Sequence, residues 1–273
     1  KLRRDYGAVI LEKIANDVRK NPLRPYALSR SIKRYTGLNT HQLHDAVLVE
    51  LDSLWSRQSR RLDGVNYQRL NNRVDSVATD YLMPVILPNN ELLVLKKSRK
   101  RTAMFVTIDS SGFERKVIDI GTQVLENFNY RSGKLVWDEI RVNTRYHEQT
   151  FSVINCYDLK KKRYHQVTHK TRLFAPALSA DGETIVAVGV SYDNDVFLFE
   201  FDQDGHEIKK YDNPLNWALQ TPQFNAEGTK ITCVAVSKDG TSLLEIDRIT
   251  GKMNQVIPFA RQQITRPSYA GSK

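Results

Sequence analysis

Cysteine is scarce in this 273-residue chain, with only Cys156 and Cys233, and no apolar run is long enough to cross a bilayer as a helix. Such a helix needs about 18–20 consecutive apolar residues, so no helical span is expected. Both cysteines lie in apolar, β-branched stretches without metal-type or redox-type spacing. Two separate buried thiols are expected, with a disulfide between them the open alternative. Gly-x-Ser-x-Gly, a phosphate-binding loop and the Rossmann glycine fingerprint are all missing, which removes the usual signatures of those hydrolase and nucleotide sites. The opening Lys1-Leu-Arg-Arg-Asp5 has neither an initiating methionine nor the apolar core of a secretion signal, so the chain is expected to derive from a longer one.

What the chain does contain is a repeat. Phe174-Ala-Pro176-Ala-Leu-Ser-Ala-Asp181-Gly182-Glu-Thr-Ile185 is echoed by Gln220-Thr-Pro222-Gln-Phe-Asn-Ala-Glu227-Gly228-Thr-Lys-Ile231, with Gly182 and Gly228 46 residues apart. An acidic residue followed by a turn keeps step with it at Asp109, Asp158, Asp202 and Asp247, at intervals of 49, 44 and 45 residues. A period near the ~40–45 residues of a propeller blade implies four-stranded sheets arranged radially. Short β-branched and aromatic runs separated by turn residues agree with this, among them Met104–Ile108, Ser152–Cys156, Ile185–Val188 and Ile231–Val236. The expectation is mainly β: a partial β-propeller of four blades and the start of a fifth. Its blades are expected at 83–126, 127–173, 174–219 and 220–264, with a stub at 265–273. Pro84, Pro176 and Pro222 are expected at the start of innermost strands, where a missing N–H costs least.

Residues 1–56 follow a helical period instead. Tyr6, Val9, Ile10, Ile14 and Val18 form one stripe, Leu28, Ile32 and Tyr35 a second, and Leu43, Val47, Leu51 and Leu54 a third. Gly37 suits a C-terminal cap and Thr40 an N-cap. The polar, aperiodic stretch 57–82 reads as a linker.

The net charge is +10, and residues 1–34 alone hold ten Lys or Arg against three acids. That permits weak attraction to polyanions and identifies no partner. A helix-turn-helix contact with DNA would need cations on the helix after Gly37, but His41–Trp55 carries Asp45, Glu50 and Asp52 and neither Lys nor Arg, so nucleic acid is not expected. His41 with His44, and His165 with His169, lack a converging third ligand, and no metal or other cofactor is expected. Asp193-Asn194-Asp195 reads as a hairpin tip and the basic runs Lys96–Arg101 and Lys160–Arg163 as solvated turns.

The stretches Pro176–Ile185 and Pro222–Ile231 resemble the WD40-like (PD40) blade of the TolB-like propeller family, roughly Pro-x-Trp/Phe-Ser-Pro-Asp-Gly-x-x-Ile. Two further stretches keep the pattern more weakly, Pro84–Leu95 with Asn89-Asn90 in place of Asp-Gly, and Tyr130–Trp137. Leu2–Tyr6, Tyr35–Leu38 and the Leu43–Trp55 helix resemble the C-terminal helices of gluzincin-type metallopeptidase domains. The His-Glu-x-x-His motif of such peptidases is absent; the nearest string, His147-Glu148-Gln-Thr-Phe151, lacks the second histidine.

These resemblances imply a non-catalytic propeller fragment of a larger bacterial cell-envelope protein, periplasmic or associated with the outer membrane. A protein or peptide is the expected partner, together with other domains or subunits of the parent. The alternative is an accessory, substrate-positioning region of a zinc metallopeptidase with its catalytic domain upstream of Lys1. The loops entering innermost strands are the expected contact points, which singles out Phe128, Arg172, Phe174, Trp217 and Gln220.

Overall fold

The computed structural model describes residues 1–61, 70 and 77–269. The chain divides into two compact units, Lys1–Gln68 and Arg69–Lys273.

The first unit holds α1 (Leu2–Tyr6), α2 (Ile10–Lys20), α3 (Ala27–Thr36) and α4 (Thr40–Arg61). Its core is Ile10 and Ile14, one turn apart on α2, against Ile32 of α3, with Leu2 and Leu43 packed on them. Gly37 closes α3 in the left-handed conformation at φ 77° and donates its N–H to the Lys33 carbonyl at 2.8 Å. The expected Thr40 cap is corrected to Asn39. Asn39 Oδ1 accepts the Gln42 N–H at 2.9 Å while Gln42 Oε1 accepts the Asn39 N–H at 3.0 Å, a reciprocal capping box. Thr40 instead donates its hydroxyl to Ser29 Oγ at 3.1 Å.

The expected linker 57–82 is also corrected at both ends. Helix α4 runs on to Arg61, where Arg57 and Arg60 turn back to the carbonyls of Ser53 and Ser56 at 3.4 and 3.2 Å. Thr79–Leu82 already belong to a strand. Residues 62–69 and 71–76 of that linker lie outside the described residues.

The second unit is built from four antiparallel meanders of four strands each. The first contains β1 (Thr79–Ile86), β2 (Leu92–Ser98), β3 (Arg101–Ile108) and β4 (Glu114–Asp119), and the second β5 (Phe128–Arg131), β6 (Lys134–Val142), β7 (Thr150–Asp158) and β8 (Arg163–Gln166). The third contains β9 (Leu173–Leu178), β10 (Thr184–Val190), β11 (Val196–Asp202) and β12 (Glu207–Tyr211). The fourth contains β13 (Ala218–Phe224), β14 (Lys230–Ser237), β15 (Gly240–Asp247) and β16 (Met253–Ala260). The chain is thus mainly β with an N-terminal helical segment. The expected stub at 265–273 forms no strand over 265–269, and 270–273 lie outside the described residues.

Strand alternation explains why the central strands read as unbroken apolar runs, because each face is buried against a different blade. Leu135 and Trp137 of β6 pack with Leu93, Leu95 and Phe105 of the first blade, while Val136 joins Leu178, Ile185 and Phe201 of the third. On β10, Ile185 and Ala187 face back to the second blade, and Val186 and Val188 face Phe224, Ile231 and Leu244 of the fourth. Cys156 and Cys233 are free, buried thiols in separate clusters, as expected of small apolar fillers.

The periodic aspartates terminate the third strand of each blade and cap the turn that follows. Asp109 Oδ1 accepts the N–H of Ser111 and Phe113, Asp158 those of Lys160 and Lys161, Asp202 those of Asp204 and His206, and Asp247 that of Thr250. These hydrogen bonds stabilise the carboxylate form and hold all four carboxyls below their ordinary range. Gly182 and Gly228 sit in the turns after the first strands at φ 76° and 68°, conformations an L side chain rarely adopts.

Candidate functional site

In each blade the innermost strand starts at the same end of the unit, the end where the preceding outermost strand finishes. Three of these strands carry the same distortion. Met83, Ala175 and Thr221 have φ of 53°, 50° and 44°, each directly before a proline, and the ladder slips by one residue at each. This corrects the expected position of the prolines: Pro84, Pro176 and Pro222 lie inside their strands, at a bulge. A bulge leaves residues out of the ladder, so the missing N–H of proline costs nothing there. Arg266, before Pro267, adopts φ 49° as well.

Beside the bulges of β9 and β13 opens a cavity of about 570 Å³. Val124, Leu125, Phe174, Val188, Val190 and Leu219 give it apolar walls. Asn127, Asp138, Gln220 and Arg266 supply its polar groups, and its described lining includes no Ser, Cys or His.

The bulge also explains why an acid is buried here. It directs the Ala175 N–H away from the ladder, and Asp138 Oδ1 on β6 accepts it at 3.2 Å. Asp138 is 2 % exposed, and its Oδ2 has no hydrogen-bond partner among the described residues. Burial pushes this carboxyl up to about 7, the charge of Glu139 adds to the rise, and the Ala175 N–H opposes it.

Glu139, next on β6, is held differently. Its Oε1 accepts Trp137 Nε1–H and the Gly121 N–H, both at 2.8 Å, and its Oε2 lies 2.6 Å from Arg141 Nη2. Asn127 is 4 % exposed and its Nδ2 is buried without an acceptor. At the mouth, Arg266 Nη2 donates to the Glu126 carbonyl at 3.1 Å, while the Glu126 carboxylate pairs with Lys97. An apolar enclosure with unused polar groups can hold a ligand by burial and orient it by hydrogen bonds.

Of the five residues singled out by repeat position, Phe174 and Gln220 meet at this cavity. Phe128 is corrected to a core residue, 3 % exposed and edge-on to Phe105 at 4.9 Å. Arg172 turns within its own blade, donating to the Ser191 carbonyl at 2.8 Å and lying over the Tyr192 ring. Trp217 packs edge-on against Phe259 at 4.8 Å. Repeat position locates a loop but not the direction of its side chains, so it could not separate these cases. Asp138 and Asn127 were missed; the only sequence signal for Asp138 is an acid embedded in the apolar strand Leu135–Ile140.

His44 approaches Asp45, His165 Nε2 lies 3.2 Å from the Gln203 carbonyl, and His169 Nδ1 lies 2.9 Å from Gln166 Nε2. Asp202, Asp204 and His206 bring ligand-type atoms within 4.8 Å of one another, but Asp202 is already committed to the turn it caps.

Four meanders joined in chain order through shared apolar faces define this unit as β-propeller architecture. Its fold is similar to that of the TolB propeller. The fold matches the crystal structure of TolB from Acinetobacter baumannii with a TM-score of 0.51 at 14 % identity, over 66 % of this chain and 44 % of that one. A putative TolB from Agrobacterium tumefaciens aligns with a TM-score of 0.49 at 17 % identity, over 62 % of each chain. The chain therefore spans less than two thirds of either protein. No protein-family model and no curated protein matches its sequence.

Proposed function

We propose that the propeller unit is a non-catalytic binding module that takes a segment of a peptide or protein partner at the cavity beside β9 and β13. The observation that carries this reading is the cavity itself: about 570 Å³ with mainly apolar walls beside the bulges of β9 and β13, with Asp138 and Gln220 among its few polar lining residues. An apolar anchor buried in such a pocket supplies affinity, and the few polar groups supply orientation. The TolB-like fold and blade motif support a place in the cell envelope of a bacterium, within a larger assembly.

Site-specific photo-crosslinking tests the location. A benzoylphenylalanine at Gln220 is expected to capture members of a random peptide library. The same group at Glu183, in the turn at the opposite end of the third blade, is expected to capture far fewer. Equal capture at both positions would overturn the assignment.

A further inference from the structure

One acid in an otherwise apolar wall narrows the chemistry of what the cavity takes. Resting on the binding reading above, we propose that the cavity recognises a primary ammonium group carried next to apolar carbon, with the Asp138 carboxylate as its counter-ion. A lysine side chain and a peptide N-terminus both present that group.

Strand alternation aims the acid. Val136 and Asp138 lie two residues apart on β6 and share a face, and Val136 packs against Leu178, Ile185 and Phe201 of the third blade. Asp138 meets the same blade at its bulge, where Oδ1 accepts the Ala175 N–H at 3.2 Å. Both Asp138 and Ala175 line the cavity. Asp138 is 2 % exposed, and its Oδ2 has no hydrogen-bond partner among the described residues.

An asparagine would serve the Ala175 N–H without bringing a charge. The acid instead sets a second oxygen among apolar walls, and a buried carboxylate is costly unless it is paired. A ligand ammonium supplies the pair, while Phe174, Val188 and Leu219 enclose the carbon that adjoins it. Gln220, also in the lining, carries an amide oxygen as a second acceptor. A ligand carboxylate would meet Asp138 as a like charge, and a neutral ligand would leave it unpaired.

Without a ligand, burial holds the Asp138 carboxyl up to about 7, so it keeps its proton in mild acid. An ammonium must displace that proton, which couples binding to pH. The other charged or titratable groups about it are Glu139, paired with Arg141, and Glu126 and Arg266 at the cavity mouth. The lining residues of β9, β10 and β13 include none.

The test titrates three probes into the full chain, followed by methyl NMR. N-acetyl-lysine N-methylamide carries the ammonium on a side chain, leucine N-methylamide carries it at the N-terminus, and N-acetyl-norleucine N-methylamide is the neutral control. At pH 7 an ammonium probe is expected to move the Val188, Val190 and Leu219 methyl signals and to bind about tenfold tighter than the control. Whichever ammonium probe binds tighter identifies the source. Its affinity is expected to fall about tenfold or more in Asp138→Asn, which keeps an acceptor for the Ala175 N–H; thermal melts confirm that the variant is folded. In the parent it should rise about tenfold from pH 5.5 to pH 7.5 as Asp138 gives up its proton, a measurement that needs no variant. A neutral control that binds as tightly as both ammonium probes overturns the inference. So does an ammonium affinity indifferent to Asp138→Asn, or indifferent to pH should that variant not fold. In those cases the binding reading survives. If no probe moves a cavity signal, both readings fall.

Discussion

Arg248 and Glu200 form an ion pair that ties the fourth blade to the third. The Arg248 Nε–H donates to Glu200 Oε1 at 2.9 Å, Nη2 reinforces the same oxygen, and the Tyr211 hydroxyl donates to Glu200 Oε2 at 2.7 Å. Glu200 is 1 % exposed, so its charge is tolerated only because these donors surround it. Arg248 also donates from Nη1 to the Gly228 carbonyl at 3.0 Å, linking the buried pair to the turn of its own blade.

Removing one member leaves the other charge or its donors uncompensated. Arg248→Met is expected to lower unfolding stability by about 3–5 kcal/mol. The double variant Arg248→Met/Glu200→Leu should recover a large part of that loss, since it removes both charges together. Urea denaturation of the two variants and the parent measures this coupling; additive losses would show that the pair is not a unit.

Stability should carry the mark of Asp138 between mildly acidic and neutral pH. Its carboxyl is raised in the folded chain, to about 7 from an ordinary 3.8, so the folded state holds a proton that the unfolded state releases. That contribution is fully present below about pH 4 and is lost as pH rises through 7, at up to about 1.4 kcal/mol per pH unit for one group. Asp138→Asn, which retains an acceptor for the Ala175 N–H, should flatten this slope and melt higher than the parent at pH 8.

The turn aspartates act in the opposite sense. Asp109, Asp158, Asp202 and Asp247 are held below the ordinary carboxylate range, so what they add is present above about pH 4 and disappears as pH falls through their depressed values. Replacing all four by Asn should reduce the loss of stability on acidification from pH 5 to pH 2, read as the shift in melting temperature across that range.

Gly205→Ala should be costly for two reasons. Gly205 sits at φ 83°, and a Cβ there would meet the Val167 carbonyl oxygen of the neighbouring blade at 2.4 Å. A loss of about 2–4 kcal/mol is expected, since neither backbone can yield without opening the contact between blades. A control substitution at the exposed Asp204 alongside should stay within about 0.5 kcal/mol.

Much of this architecture is legible in the residues, because turn chemistry is local. An aspartate closing a strand accepts nearby N–H groups, and a glycine accepts positive φ, so both recur once per blade wherever the geometry recurs. The bulges are less legible. Thr221-Pro222 and Ala175-Pro176 read as strand starts, because proline reports a missing ladder bond without showing whether a strand begins or bulges there. The end of α4 escaped for a related reason: Ser56–Arg61 has no apolar face to display a period, although its arginines bond one turn back along the helix.

The site is the part least accessible to sequence. Asp138 is defined by a bulge 37 residues away, and Arg248 meets Glu200 at a separation of 48 residues, about one blade. Such partners become neighbours only once the blades stack. Phe128, Arg172 and Trp217 illustrate the converse, being placed at the right loops and turned into packing or into their own blade.

The central claim is that the cavity beside β9 and β13 is where a peptide segment binds. The measurement is the dissociation constant of a library-selected peptide for the parent chain and for Val190→Trp, which fills the cavity from the end of β10. The account predicts a loss of at least about tenfold in affinity with the melting temperature retained. An unchanged affinity in a variant that is folded would contradict it.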